Sequence, residues 1–277
     1  MSGGLRWVLP LILLGATACP GCGGGPRPRY PHEDAGQALA LHRAMRERVT
    51  AIQAEARVDQ RGKEGRVKGT VLMFVQRPGR VRFDVMTQFG PAAILTSDGE
   101  AFAFSDLREK RYMYGATCPR NIARLIGIPM SVQETAILLL GGTSLIEHER
   151  TEIEWVQDRY RIKLRAPDGS RQEVDFAVVG KDMEAPTAQQ RLRLKRSEIF
   201  DPKGRSIWRV RYDEYRVLAM GEYGIAMPFE VHVEQPATDT DTLVKFKDIR
   251  FESDVPAEAF VQQPRPGMQQ EEALCEQ

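Results

Sequence analysis

Between Arg80 and Val233 the chain repeatedly changes side-chain character at every second position, and that alternation admits one class of local structure. Val81, Phe83 and Val85 interleave with Arg80, Arg82 and Asp84, and Tyr160, Ile162 and Leu164 interleave with Arg159, Arg161, Lys163 and Arg165. Successive side chains of a strand point to opposite faces, so each run is a strand with one apolar and one wet face. The pattern recurs at Val174/Phe176/Val178, Leu192/Leu194, Trp208/Val210/Tyr212 and Phe229/Val231/Val233. Arg77-Pro78-Gly79, Ser97-Asp98-Gly99, Pro167-Asp168-Gly169 and Asp201-Pro202-Lys203-Gly204 separate the runs and read as hairpin-type turns. Nine or more short antiparallel strands are expected.

Helical spacing appears in two places. From Gly36 to Arg57, Ala38, Leu41, Met45, Val49, Ile52 and Ala56 recur at steps of three and four, while Arg43, Arg46, Glu47 and Arg48 fall mostly elsewhere. One amphipathic helix is expected there; without Trp or Phe in its stripe it suits packing on a sheet better than lying on a membrane surface. Asn121 to Gly127 and Ser131 to Leu140 return to helical patterning inside the meander. Ser131-Val132-Gln133-Glu134 is a capping box, and Gly141-Gly142 is a stop. An antiparallel sheet with an Arg- and Lys-rich outer side must cover its apolar side, and these helices are the candidates. The expected fold class is α+β: a curved antiparallel sheet, an incomplete β-barrel, wrapped over helices. Helices fill a curved sheet poorly, so an apolar cavity between them is one expectation and a solid core the other.

The first residues carry an address. Arg6 precedes an apolar run from Trp7 to Leu14 too short to span a bilayer, and Gly15-Ala16-Thr17-Ala18 leads to Cys19. This reads as an export signal (1–18) followed by lipid attachment at Cys19. Ala16 stands where a lipobox usually has leucine, so ordinary cleavage and simple secretion remain the alternative. Residues 19–35 have the Gly/Pro composition of a tether. Diacylation at Cys19 would give stable attachment, since one chain is reversible at about 0.8 kcal/mol per buried methylene.

Without Arg6 the 39 Lys and Arg residues become 38, against 38 Asp and Glu, so bulk charge recommends neither nucleic acid nor an anionic surface. With 42% hydrophobic residues, residues 36–261 can form one domain, leaving 262–277 as a polar C-terminal tail. Cys22, Cys118 and Cys275 are left after Cys19, an odd number; a Cys118–Cys275 pair fits an oxidising compartment but is not assigned by sequence. His32, His42, His148 and His232 are scattered, and no P-loop, GxSxG or HExxH occurs. Neither a catalytic constellation nor a metal or cofactor is expected.

Several stretches carry a family resemblance. Arg82-Phe-Asp-Val-Met-Thr-Gln-Phe89-Gly90, then Ile122-Ala-Arg-Leu-Ile-Gly127-Ile-Pro129 and Ile137-Leu-Leu-Leu-Gly141, resemble the LolA/LolB superfamily of periplasmic lipoprotein carriers, the LolB side more closely. Ser206-Ile-Trp208-Arg-Val-Arg-Tyr212, Ala226-Met-Pro228-Phe229, Val244-Lys-Phe246-Lys-Asp-Ile249 and Val255-Pro256-Ala-Glu-Ala-Phe260 are similar to its later strands and ending. The resemblance spans Gly36 to Phe260 and rests on the order of elements rather than on one motif.

The resemblance implies a cavity that takes the acyl chains of lipoproteins by apolar area alone, with Val81, Phe83, Val85, Ile94, Trp208 and Phe229 as candidate lining; ordinary core packing is the alternative for each. It also implies that Phe89, followed by Gly90 in a turn, protrudes and enters the membrane during delivery; folding back onto the helices is the alternative. The implied protein is an envelope lipoprotein, held by its N-terminal lipid at the outer membrane and facing the periplasm. It would take acylated lipoprotein or lipid cargo from a periplasmic donor protein. Two other classes stay open: a structural or regulatory lipoprotein with a filled cavity that binds a protein partner, and an enzyme acting on envelope lipids or glycans.

Overall fold

The alternating runs form strands of one sheet, with three helices against it, in a computed structural model that describes residues 26–275 apart from 64, 128–129, 221–222 and 253–254. Cys19 and the expected export signal (1–18) lie outside the described residues. Chain order begins with α1 (Ala35–Glu47), β1 (Ala51–Gly62), β2 (Gly65–Gln76), β3 (Arg80–Thr87), β4 (Gly90–Ser97), β5 (Ala101–Asp106) and β6 (Arg111–Ala116). Two helices follow, α2 (Pro119–Ile126) and α3 (Val132–Leu139). Then come β7 (Arg150–Val156), β8 (Arg159–Arg165), β9 (Arg171–Ala177), β10 (Arg193–Phe200), β11 (Ser206–Met220), β12 (Tyr223–Gln235), β13 (Thr240–Glu252) and β14 (Gln269–Glu272). Hydrogen bonding orders the 14 strands β14-β6-β5-β4-β3-β2-β1-β13-β12-β11-β10-β9-β8-β7, so the curved sheet is unclosed, with edges at β14 and β7.

Register explains how one apolar face is assembled. Phe83 lies opposite Met73 on one side and Leu95 on the other, and Ile162 lies opposite Val174, so period-two residues stack across strands. These residues, Val231, Val244 and the buried faces of the helices form one continuous core. The outer face of β8 to β12 is a lattice of opposite charges. Arg161 and Arg196 both reach Asp175, at 2.9 and 3.1 Å, and Arg196 and Arg209 both reach Glu198, at 2.6 Å. Burial alone would raise the Glu198 carboxyl, but the hydrogen bond from Arg209 and the charges of Arg209 and Arg196 hold it below the usual range. The outer side is therefore a net of paired charges rather than a basic surface.

The first helix is shorter than its spacing suggests. α1 stops at Glu47, and residues 51–62 are β1, paired along its length with β2 and β13. Val49, Ile52 and Ala56 satisfy helical spacing, but Ile52, Ala54, Ala56 and Val58 also alternate. All four are buried beneath neighbours on both sides, which favours the strand. The helix face is also rotated from the expected stripe. Ala35, Ala38, Leu39, His42 and Arg46 are buried, whereas Leu41 and Met45 are half-buried. Arg77 caps the helix end, its guanidinium donating to the carbonyls of Val49 and Arg46.

The second expected helical region holds. Ser131 Oγ accepts from Glu134 N at 3.1 Å while the Glu134 carboxylate accepts from Ser131 N at 2.9 Å, completing the capping box. α3 packs on β2 and β3, and α1 on β7. Asn121 of α2 donates to the carbonyls of Ala116 and Ala273, tying that helix to the end of the chain.

That end differs from the expected polar tail. Residues 269–272 form β14, parallel to β6, and Cys275 is disulfide-bonded to Cys118. Upstream, Gln262 crosses the outer face of the same strands: its amide donates to the carbonyls of Ile94 and Ala103, and its carbonyl oxygens accept from Ser105 Oγ and Tyr112 OH. The polar sequence that reads as solvated supplies strand pairing and side-chain caps instead.

Candidate functional site

The helices do not fill the concave face completely. Between α1 and the chain leaving α3 is a cleft of about 340 Å³, walled by Leu39, Ile137, Leu145 and Phe176 and also lined by His42, Arg46 and Arg77. A second, of about 270 Å³, lies between α3 and strands β10 and β11, against Met130, Leu138, Ile199 and Trp208. A third, of about 470 Å³, opens on the other side of α1 against Leu41, Met45, Leu192 and Ile225. Its far wall is an arm: β11 and β12 continue as a two-stranded ribbon beyond their pairings with β10 and β13 and close on the C-terminal half of α1.

The six residues expected to line a cavity are not gathered around one. Val81 and Phe83 are wholly buried within the core, Val85 is half-buried beside them, and Phe229 is 4% exposed beneath the Arg216 guanidinium, 4.0 Å from its ring. Trp208 alone among the six lines one of these clefts, and its buried indole nitrogen has no hydrogen-bond partner. Ile94 is on the opposite face from Leu95. It lies beside Thr96, where Gln262 covers the sheet.

Phe89 stands clear of the protein. It occupies the β3–β4 turn with its ring 91% exposed, so it does not fold back onto the helices. The turn is built around Thr87, whose Oγ accepts from Phe89 N at 3.3 Å and donates to the Gly90 carbonyl at 2.7 Å. Gly90 has φ +109°, a backbone conformation that a side chain would strain. The apolar tip is therefore presented by a specified turn, above a shallow depression that includes Pro91, Leu107 and Arg108.

The chain entering the domain is fastened at the other ends of the strands. Pro28 is buried, Arg29 N donates to the Met183 carbonyl, Gln190 donates to the Tyr30 carbonyl at 2.6 Å, and His32 N donates to Tyr160 OH at 3.0 Å. Tyr160 begins β8 while Phe89 follows the end of β3; tracing antiparallel pairings from β3 to β8 puts the strap and Phe89 at opposite rims.

Sequence spacing missed Arg46. It lines both the first and third clefts, is 6% exposed, and forms no ion pair with a carboxylate among the described residues. Its guanidinium donates to the Ala226 carbonyl at 3.0 Å and to Met227 Sδ at 3.4 Å, and Nε has no partner. Burial lowers its pKa; Tyr215 partly offsets this and Arg77 lowers it again. His42, one turn earlier, is buried against the Phe176 ring at 4.7 Å, and burial together with Arg46 pushes its pKa well below the usual value. The legible signal was position: Ala38, His42 and Arg46 follow one another at four-residue steps.

The cluster most like a metal site, His232, Glu234 and Asp241, is engaged otherwise. His232 bonds Asp241 at 2.9 Å and Arg211 at 2.8 Å, and Glu234 pairs with Arg209 and Arg211 at 3.3 Å. Among the described residues no helix is long and apolar enough to cross a membrane.

No protein-family model and no curated protein matches the chain. Solved structures do. A LolA superfamily protein from Nitrosomonas europaea matches with a TM-score of 0.52 and 12% identity over 82% of this chain and 97% of its own. A domain described as an outer membrane lipoprotein-sorting protein, from Vibrio parahaemolyticus, matches with a TM-score of 0.51 and 12% identity over 82% and 97%. A DUF1329 family protein from Desulfovibrio piger gives 0.53 and 12% over 83% and 98%. At such identity the likeness is one of fold.

Proposed function

We propose that this chain, whose fold is that of the LolA superfamily, is a lipid-anchored envelope carrier that holds acyl chains on its concave face and passes them to a membrane through Phe89. The carrying observation is the Phe89 tip, 91% exposed on a turn that Thr87 and Gly90 hold in shape. A large apolar ring kept in water has a use when another apolar phase meets it. Burying it contributes roughly 1.5 to 3 kcal/mol, which biases an anchored domain toward the bilayer without fixing it there. The tip supports a LolB-like role; the reading adds the outer membrane, facing the periplasm, as its place and Cys19 as the lipid attachment site. The cargo is acylated lipoprotein or lipid, received from a periplasmic donor. Trp208 and the apolar walls of the clefts supply acyl-binding area.

The strap sets the reach of such a domain. The 9 residues from Cys19 to Arg27 span at most about 30 Å. The 8 residues of β3 alone cover about 26 Å between rims. Anchor and Phe89 can therefore meet one membrane only with that stretch nearly straight. Removing residues 21–25 is expected to abolish delivery while leaving the melting temperature unchanged, as measured by transfer of a labelled lipoprotein into the membrane fraction. Normal delivery by the shortened chain would mean that Phe89 does not work on the membrane holding Cys19.

A second reading has its own support. Val81 and Phe83 have no exposed surface, so this part of the sheet is packed solid. A structural or regulatory lipoprotein that binds a protein partner would retain the fold with that interior.

A further inference from the structure

Arg46 poses a physical problem that the fold alone does not answer. A buried guanidinium ordinarily faces a carboxylate, because an unpaired charge is costly to take out of water. Here it has one carbonyl and one thioether as partners, and Nε is left without any. The environment adds positive charge: Arg77 is half-buried in the same cleft and Arg43 stands at its rim. Glu47 is the one carboxylate among the lining residues, and it is exposed, its charge acting on Arg77. The remaining wall is Leu39, Ile137, Leu145 and Phe176.

Gly141 keeps this arrangement open. It has φ +80°, and a side chain there would begin 3.0 Å from Arg46 Nη1 and 3.0 Å from the Pro228 ring. The helix stop that ends α3 thus also lets the chain pass close against the guanidinium. The cleft volume of about 340 Å³ falls within the range of small-ligand sites.

We propose that this cleft is a head-group site for an anionic amphiphile, its carboxylate or phosphate oxygen on Arg46 and Arg77 and its alkyl tail along Leu39, Ile137, Leu145 and Phe176. The assignment rests on the carrier reading in taking the tail to be acyl, and adds that the bound species carries negative charge. An oxyanion seated against the guanidinium would supply the missing negative charge and accept charge-assisted hydrogen bonds. Neutral His42 contributes packing rather than charge.

The test is calorimetric titration of the full chain carrying Cys19→Ser with dodecanoate, dodecanol and dodecyltrimethylammonium, which share a tail and differ in head, and with inorganic phosphate, which has no tail. Dodecanoate is expected to bind about tenfold or more tighter than dodecanol, with the cation weakest. Phosphate alone is expected to bind far more weakly than dodecanoate, because it lacks the apolar contribution. Arg46→Met is expected to bring dodecanoate and dodecanol to similar affinities, and Arg77→Gln to weaken dodecanoate about threefold. Equal binding of the three tailed probes overturns the head-group site and leaves an acyl carrier standing. Binding of none overturns both. If Arg46→Met does not fold, the wild-type comparison and Arg77→Gln still decide. A preference for dodecanoate unchanged in either folded variant would place the anion elsewhere and overturn the assignment.

Discussion

Phe89→Glu is expected to lower association of the Cys19→Ser chain with phosphatidylethanolamine and phosphatidylglycerol vesicles roughly ten- to hundredfold, the equivalent of losing about 1.5 to 3 kcal/mol of apolar burial. Phe89→Leu should retain most of the binding. Stability should not move, because the ring is 91% exposed and its turn is held by backbone groups and Thr87. In the chain that retains Cys19, cargo should load normally and fail to transfer. Loading and transfer are read separately, by cargo copurification and by membrane fractionation. Unimpaired transfer by a folded Phe89→Glu protein would remove the insertion role.

Cys275→Ser is expected to destabilise the protein by about 2 to 4 kcal/mol in chemical denaturation, with a chain-entropy ceiling near 5 kcal/mol for a closure of this length. The bond joins positions separated by 157 residues, so in the unfolded chain it closes a very large loop. In the folded protein it lies beside the β14–β6 pairing and the Asn121 contact with Ala273. Amide exchange should therefore accelerate first in β14 and β6, before the core strands. A variant with unchanged denaturation and unchanged protection in β14 would show that strand pairing and Gln262 hold this end without the bond.

The fold is legible in the sequence where a residue's partner lies nearby along the chain. Tyr160, Ile162 and Leu164 alternate with cations, and no tertiary context was needed to make them β8. The capping box at Ser131 and Glu134 is equally local. By contrast, Ile52 and Ala56 fit helix and strand together, and pairing with β2 and β13 decides the matter. Gln269 to Glu272 carry no apolar alternation because β14 is an exposed edge strand, so nothing local announced it. Its place comes from pairing with β6 and from Cys118, both far away in sequence.

The site divides in the same way. The turn at Phe89-Gly90 is legible locally, but its protrusion is only what the family resemblance implies, with folding back as the alternative, and the 91% exposure of Phe89 decides for protrusion. The alternation places Val81, Phe83 and Phe229 on the inward face, as the structure does, but facing inward does not distinguish a cavity wall from a filled core. Ile94 shows the hazard of a one-residue choice of face: its neighbour Leu95 points inward, and Ile94 lies under Gln262. Arg46 looked like part of a polar helix face, and the rotation of α1 toward the β11–β12 arm is what buries it.

Whether acyl chains occupy the concave face is decided most directly by native mass spectrometry of the Cys19→Ser chain purified from its host envelope without added detergent. Copurifying acyl species are expected, at no more than one or two per protein given the small size, about 270 to 470 Å³, of the clefts among the described residues. They should be lost when Trp208 and Leu145 are both changed to Glu in a chain that still folds. A lipid-free protein that also fails to take up lipid on incubation with envelope extract would contradict the carrier reading and favour the filled, partner-binding alternative.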